Sequence, residues 1–305
     1  MEKLNKIRQA IENADTICIF RHQFPDQDAF GSQFGLKYAL QSLYPEKKIY
    51  AAGTGNEEYQ TDDISDETIH HSLAIILDTA NSARMDDGRA LDAQEIVRID
   101  HHVPVEQIGT LEWIDEKASA TCEMLALYFK AQKQRIGKKA AQELYEGLIA
   151  DNIRFTTSNT RPQSFMAATY LVEQGADVQK ANEHNYDITL KDFRYENEVR
   201  SKAVYQDHVM TSIMQIEDYA KLDMEFAQAK EKVYVLAGIE EVDLWALFTE
   251  KEPGIYNASL RAKTKDVRQI AARYDGGGHV CAAGIKGLSL KQVHEIIELL
   301  IEAAK

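Results

Sequence analysis

Residues 73–81 read LAIILDTAN and residues 95–102 read EIVRIDHH; in each, a short apolar run closes on acids or imidazoles. Apolar runs of this length without alternation suit strands buried on both faces, and such strands belong to parallel sheets covered by helices. Two similar runs precede them, Thr16 to Phe20 (TICIF) and Lys48 to Ala52. Between these two, Phe30, Phe34, Leu36, Leu40 and Leu43 recur at helical spacing until Pro45 ends the pattern. Strand and helix therefore alternate, which predicts an α/β fold built on an open, mostly parallel sheet flanked by helices.

Toward the carboxyl end the pattern becomes helical, with helices expected over 119–134, 138–151, 163–175 and 178–188; Leu144 and Leu148 mark an inward stripe. Residues 191–206 (KDFRYENEVRSKAVYQ) are densely charged with sparse apolar positions, the composition of a helical linker. Beyond it come strand patterns at 209–216 and 255–262, an apolar run at 242–249, and helices at 266–274 and 290–304; residues 233–236 (VYVL) suit strand or helix equally. The expected layout is a domain over 1–190, a linker over 191–207 and a smaller α/β domain over 208–305.

Composition narrows the function. The 305 residues carry 35 Lys plus Arg against 49 Asp plus Glu, a formal charge of −14, and 44% are apolar. That apolar share excludes a wholly disordered chain, and no stretch approaches the ~18 apolar residues of a membrane helix. The charged, periodic residues 1–14 are unlike a leader, so a cytoplasmic protein is expected. Cys18, Cys122 and Cys281 are widely spaced and form no paired motif, which excludes a disulfide scaffold. A negative chain is ill suited to tracking long nucleic acid, whereas a small phosphorylated substrate needs only a local basic pocket. Arg261, Lys263, Lys265, Arg268 and Arg273 stand against Asp266 alone in one stretch, which suits such a pocket or, more simply, a solvated face.

The chemistry-bearing residues sit where strands end. His22, Asp26 and Asp28 follow the first run, Asp78 ends the third, and Asp100, His101 and His102 end the fourth. In open α/β sheets the ligand crevice lies beyond the carboxyl ends of the strands, so these clusters are expected to face one site. Asp151 closes a helix, where the backbone dipole disfavours a carboxylate unless a cation is near. Singly, each has a plainer reading: Asp28 suits a helix cap, and His70-His71, which precedes its strand, suits a surface loop. Together, imidazole and carboxylate donors in excess of four suggest two divalent cations, manganese first, with magnesium or cobalt as alternatives. One carboxylate would bridge them, and water activated there would attack phosphorus.

The segments HQFPDQDAFGS, LDTAN, IDHH and GLIADN resemble, in order and spacing, the four motifs of the DHH phosphoesterase superfamily. NASLR at 257–261 with GGGHVCAAG at 276–284 resembles the glycine-rich DHHA1 domain, whose sheet is mixed. The two-domain layout is similar to the bacterial nanoRNase and pAp phosphatase group. This resemblance implies His22, Asp26 and Asp78 on one metal and Asp28, Asp78, His101 and Asp151 on the other, with Asp78 bridging. It implies that His102 contacts the scissile phosphate, with Asp100 orienting the histidines. Ser259, Arg261, Gly276, Gly277, Gly278 and His279 would hold the end of the nucleotide remote from the metals. The implied substrates are short RNA oligonucleotides and 3′-phosphoadenosine-5′-phosphate (pAp), with no long nucleic acid and no membrane; a homodimer stays open. The alternatives are a phosphodiesterase for the linear dinucleotide pApA, an inorganic pyrophosphatase and a non-catalytic nucleotide sensor. Gln27, Asn152 and Phe155 to Thr157 depart from the family's commoner residues.

Overall fold

The computed structural model describes residues 2–305, which divide into two units, the first ending at Asp187 and the second Ile188–Lys305. In the first, α1 (Glu2–Asn13), β1 (Thr16–Phe20), α2 (Gln27–Leu43), β2 (Lys48–Ala51), α3 (Asp66–His70), β3 (Leu73–Leu77), β4 (Glu95–Asp100) and β5 (Leu111–Ile114) are followed by α4 (Thr121–Ala131), α5 (Gly137–Asp151), α6 (Pro162–Glu173) and α7 (Val178–Tyr186). The sheet runs β2-β1-β3-β4-β5 and every pairing is parallel. Alternate strand residues enter different cores. Ile17, Ile19, Ile75 and Val97 pack with helical residues such as Leu36 and Leu144, while Cys18, Phe20, Ala74 and Ile76 pack with Ile64, Ile69 and Met85. Burial on both faces is why the strands read as unbroken apolar runs. The edge strand β5 lies outside the sequence expectation, because its four residues are only half-buried and LEWI shows neither an apolar run nor a clean alternation.

The second unit begins with α8 (Leu190–Ser201) and continues through β6 (Val204–Gln206), β7 (Val209–Met214), α9 (Ile216–Ala220), α10 (Phe226–Ala229), β8 (Leu244–Glu252), β9 (Ile255–Ala262), α11 (Arg268–Ala272), β10 (Gly277–His279), β11 (Ala282–Ser289) and α12 (Leu290–Ala304). Its sheet runs β10-β11-β9-β8-β7-β6 and is mixed: β7 and β8 are parallel, the other pairings antiparallel. The stretch read as a linker is helical over α8, and its few apolar residues are put to use: Tyr195 and Val199 are buried beside Met214, Tyr219 and Val233. Residues 233–236 settle as part of a 3₁₀ turn, Lys230–Leu236. The glycine-rich segment forms an edge strand rather than a bare connection. No described helix is long and apolar enough to cross a membrane.

Candidate metal centre

In the order β2-β1-β3 the chain steps from β1 to one side for β2 and then to the other side for β3, and at such a switch point the loops that follow β1 and β3 diverge and leave a crevice. His22, Asp26 and Asp28 leave β1 on one side of it, and Asp78 leaves β3 on the other. Asp78 holds a left-handed backbone, φ 51, a conformation costly for a non-glycine residue and typical of functional turns. Asp151 arrives by helix packing. A Cβ on Gly31 of α2 would meet the Glu143 carbonyl of α5 at 2.5 Å, and one on Gly147 would meet Cys122 Sγ at 2.4 Å and the Asp28 Cα at 3.1 Å. Only glycines let α2 and α5 lie this close, and the contact brings Asp151 at the end of α5 toward Asp28 at the start of α2.

Three groups of donor atoms result, each with its members within 4.8 Å of one another: His22, Asp26 and Asp78; Asp28, His101 and Asp151; and Asp78, His101 and His102. Asp78 joins them, with Oδ2 3.4 Å from His22 Nε2 and Oδ1 3.3 Å from His101 Nε2. His101 Nε2 also lies 3.5 Å from Asp151 and 3.9 Å from Asp28. The Nδ1 atoms of His22 and His101 face the backbone carbonyls of Gln23 (2.9 Å) and Ala118 (3.3 Å). A proton on Nδ1 donated to a carbonyl leaves the Nε2 lone pair aimed at the carboxylates, the arrangement a metal-binding imidazole uses.

The helix-cap reading of Asp28 meets an unexpected outcome. The cap of α2 is Asp26, which accepts from the Ala29 N–H. Asp28, buried, instead accepts from Thr121 N at 2.7 Å and Cys122 N at 2.9 Å, at the start of α4. An ionised carboxylate has about four acceptor sites, so these bonds orient it and leave capacity for a cation.

The electrostatics are those of a proton-sharing cluster. Burial opposes protonation of His22, yet the carboxylates of Asp26 and Asp78 outweigh it and raise the imidazole to about 10. Burial likewise opposes His101, and Asp78 and Asp28 raise it to about 10. Burial favours the neutral form of Asp78, but His101 and His22 hold it ionised far below the usual carboxylate range. Burial, then the charges of Asp78 and Asp151, push Asp28 up, and burial pushes Asp151 up to about 6. Crowded carboxylates stabilised by protons on histidines mark a place where divalent cations would substitute for those protons. The donor set, two imidazole nitrogens among carboxylate oxygens, fits ions of intermediate hardness with more than four positions.

His102 stands apart. Its Nδ1 is 2.9 Å from Asp100 Oδ1 and its ring is 41% exposed, so Nε2 is free for a ligand. Asp100 is fully buried and accepts from Arg98 Nη2 at 2.7 Å; Arg98, also fully buried, donates to the Ala80 and Glu106 carbonyls. Arg98 escaped the sequence reading, although an arginine inside the buried run EIVRI, two positions before Asp100 on the same strand face, is the signal that finds it. Thr121 also escaped: its hydroxyl donates to Asp78 Oδ1 at 3.1 Å, and nothing in its sequence context marks it. Asn152 is buried and organises the next turn, accepting from Phe155 N at 2.8 Å, while Gln27 donates to the Tyr59 hydroxyl. His70 and His71 lie on and after α3, outside the centre.

In the second unit the register aligns the predicted residues. His279 pairs with Ala282 and Ala282 with Arg261, while Gly277 pairs with Gly284 and Gly284 with Ser259. Directly paired residues of antiparallel strands share a face, as do residues two apart, so His279, Arg261 and Ser259 project from one face over a floor of Ala and Gly. The glycines divide. A Cβ on Gly276 would meet the Gly284 carbonyl at 2.5 Å, and Gly278 has φ +142 with the Ala282 carbonyl 2.4 Å from such a Cβ, whereas Gly277 has nothing within 4 Å.

Residues 16–150 match the DHH family, N-terminal domain, and residues 209–305 the DHHA1 domain. A probable bifunctional oligoribonuclease and PAP phosphatase NrnA of Streptococcus mutans is 31% identical over 98% of each chain, and the bifunctional oligoribonuclease and PAP phosphatase NrnA of Bacillus subtilis is 30% identical over 93% of each. The cyclic-di-AMP phosphodiesterase PdeA of Listeria monocytogenes is 26% identical, with 99% of this chain matching 51% of that protein. An exopolyphosphatase-related protein from Bacteroides fragilis shares the fold at TM-score 0.85 and 21% identity, over 99% of this chain and 96% of its own. Near-full-length similarity, both matched domains and the convergent strand-end donors agree: the chain belongs to the DHH family.

Proposed function

We propose that this protein is a divalent-metal-dependent phosphoesterase that hydrolyses short oligoribonucleotides to mononucleotides and converts 3′-phosphoadenosine-5′-phosphate to AMP. The observation that carries the reading is Asp78, whose two oxygens lie 3.4 Å from His22 and 3.3 Å from His101, the position a bridging carboxylate requires. The first cation would be held by His22, Asp26 and Asp78, the second by Asp28, Asp78, His101 and Asp151, with manganese as the proposed ion. Bound there, the cations supply a lowered pKa for water and neutralisation of charge on phosphoryl oxygens. The chain's own residues do the rest. Asp28 is held by two backbone amides and Asp78 by Thr121, so the donors need little rearrangement to bind. His102, raised by its bond to Asp100, would present a charged Nε2–H to the phosphoryl oxygen, and buried Arg98 keeps Asp100 in place to orient it. Ser259, Arg261, Gly277 and His279 would hold the remote end of the nucleotide.

Near-full-length similarity to two proteins named as oligoribonuclease and PAP phosphatase supports this substrate class, against a match to only half of the cyclic-di-AMP phosphodiesterase. Residues 1–190 would carry the chemistry and 208–305 the recognition. A cytoplasmic site of action suits the free, buried Cys18 and Cys122. Product analysis of manganese-loaded protein against di- to penta-ribonucleotides, pAp and pApA tests the reading. Mononucleotides from the short RNAs together with AMP from pAp are expected; hydrolysis of pApA alone would replace the reading with a cyclic-di-AMP pathway phosphodiesterase.

A further inference from the structure

The recess at the metal centre, ≈ 170 Å³, is lined by His22, Phe24, Asp26, Asp78, Ala80 and His102 and by one arginine the mechanism above does not use, Arg84. Sites that enclose whole small molecules run to ~300–1,000 Å³, so this recess is sized for the reacting end of a substrate. We infer that Arg84 selects phosphomonoesters there, pairing with the extra negative charge that a terminal phosphate carries over a phosphodiester.

The backbone holds Arg84 beside the metal-ligand loop. Asn81 Oδ1 accepts from Arg84 N at 3.0 Å, Gln23 N donates to the Arg84 carbonyl at 2.7 Å, Asp86 N donates to the Arg21 carbonyl at 3.0 Å, and His22 bridges Met85 in antiparallel fashion. The side chain is left uncommitted. Arg21, Arg89, Arg98 and Arg161 of the same unit each pair with carboxylates, whereas the Arg84 guanidinium has no ion-pair or hydrogen-bond partner among the described residues. An arginine facing an acid-rich recess yet bonded to none of its acids is free to meet an incoming anion. A phosphomonoester with second pKa ≈ 6 carries close to −2 above neutral pH, and a guanidinium matches two of its oxygens at once. A diester phosphate carries a single charge, for which His102 offers one donor already.

This inference rests on the proposed function, and its test separates the two. The kcat/KM values of manganese-loaded wild type, Arg84→Ala and Arg84→Lys are compared on pAp and on the dinucleotide ApA, and inorganic phosphate binding to each is measured by calorimetry. In Arg84→Ala the ratio of pAp to ApA specificity constants is expected to fall about tenfold or more, the loss of one charge-assisted bond, and phosphate affinity to fall with it. Arg84→Lys, which keeps the charge without the fork, should recover part of both. If wild type hydrolyses both substrates and Arg84→Ala leaves the ratio and phosphate affinity unchanged, or lowers both activities equally, the role of Arg84 is overturned while the phosphoesterase reading stands. If wild type hydrolyses neither, the functional reading itself fails and takes this inference with it.

Discussion

At the residue scale, Asp78 has no substitute. It is buried, stands between His22 and His101, and accepts from Thr121, so its removal deletes donors from both proposed ion sites at once. Asp78→Ala is expected to leave the far-ultraviolet spectrum unchanged while turnover falls below about 1% of wild type and manganese stoichiometry drops. Higher residual turnover in protein freed of contaminating metal would exclude the bridging role. Most of the donor residues are legible because their chemistry is written at strand ends. Arg98 and Thr121 are not, because each becomes meaningful only through a partner the fold supplies.

At the scale of elements, the edge strand β10 and its neighbours β11 and β9 separate structural from functional glycines. Gly278→Ala places a Cβ 2.4 Å from the Ala282 carbonyl at φ +142, and Gly277→Ala meets nothing within 4 Å. The first is expected to destabilise the protein by about 1–3 kcal/mol and the second to leave the melting temperature within about a degree or two. Equal destabilisation would mean that the strand register is not as described. On the same sheet face, Arg261→Ala should lower the specificity constant for dinucleotides and pAp by about tenfold to a hundredfold, the equivalent of roughly 1.5–3 kcal/mol for a charge-assisted bond. Hydrolysis of bis-p-nitrophenyl phosphate, which offers no remote nucleotide, should change much less. Matching losses on all three substrates would return the basic stretch to a solvated face.

At the scale of the whole molecule, proton and metal binding are linked to folding. His22 and His101 rise from 6.5 to about 10 in the metal-free fold, so the stability they contribute is fully present below about pH 6.5 and is lost as pH rises through about 10. The melting temperature of chelator-treated protein is therefore expected to fall across that window. Manganese-loaded protein should not show this fall, and manganese binding near pH 8 should release protons, because the ion takes the place of the imidazolium charges. Calorimetry in buffers of different ionisation enthalpy measures the release; a proton count of zero would show that the histidines carry no proton for the ion to displace.

The alternation of buried apolar runs with helical spacing determined the α/β class, since strands covered on both faces must be apolar throughout, and the acids and imidazoles closing those runs determined which residues to bring together. The half-buried strand β5, the incorporation of α8 into the second unit's core and the edge strand made by the glycine-rich segment were decided by tertiary packing, because local composition at each suits several conformations equally. Position was likewise decided by the fold. Asp28 caps α4 because the closely packed α2 and α5 deliver it there, and Arg98 pairs with Asp100 because a charge buried within a strand needs a carboxylate beside it. A sequence specifies which groups are present, but the distances between residues far apart along the chain, such as Asp28 and Thr121, follow only from how helices and strands bury one another's surfaces.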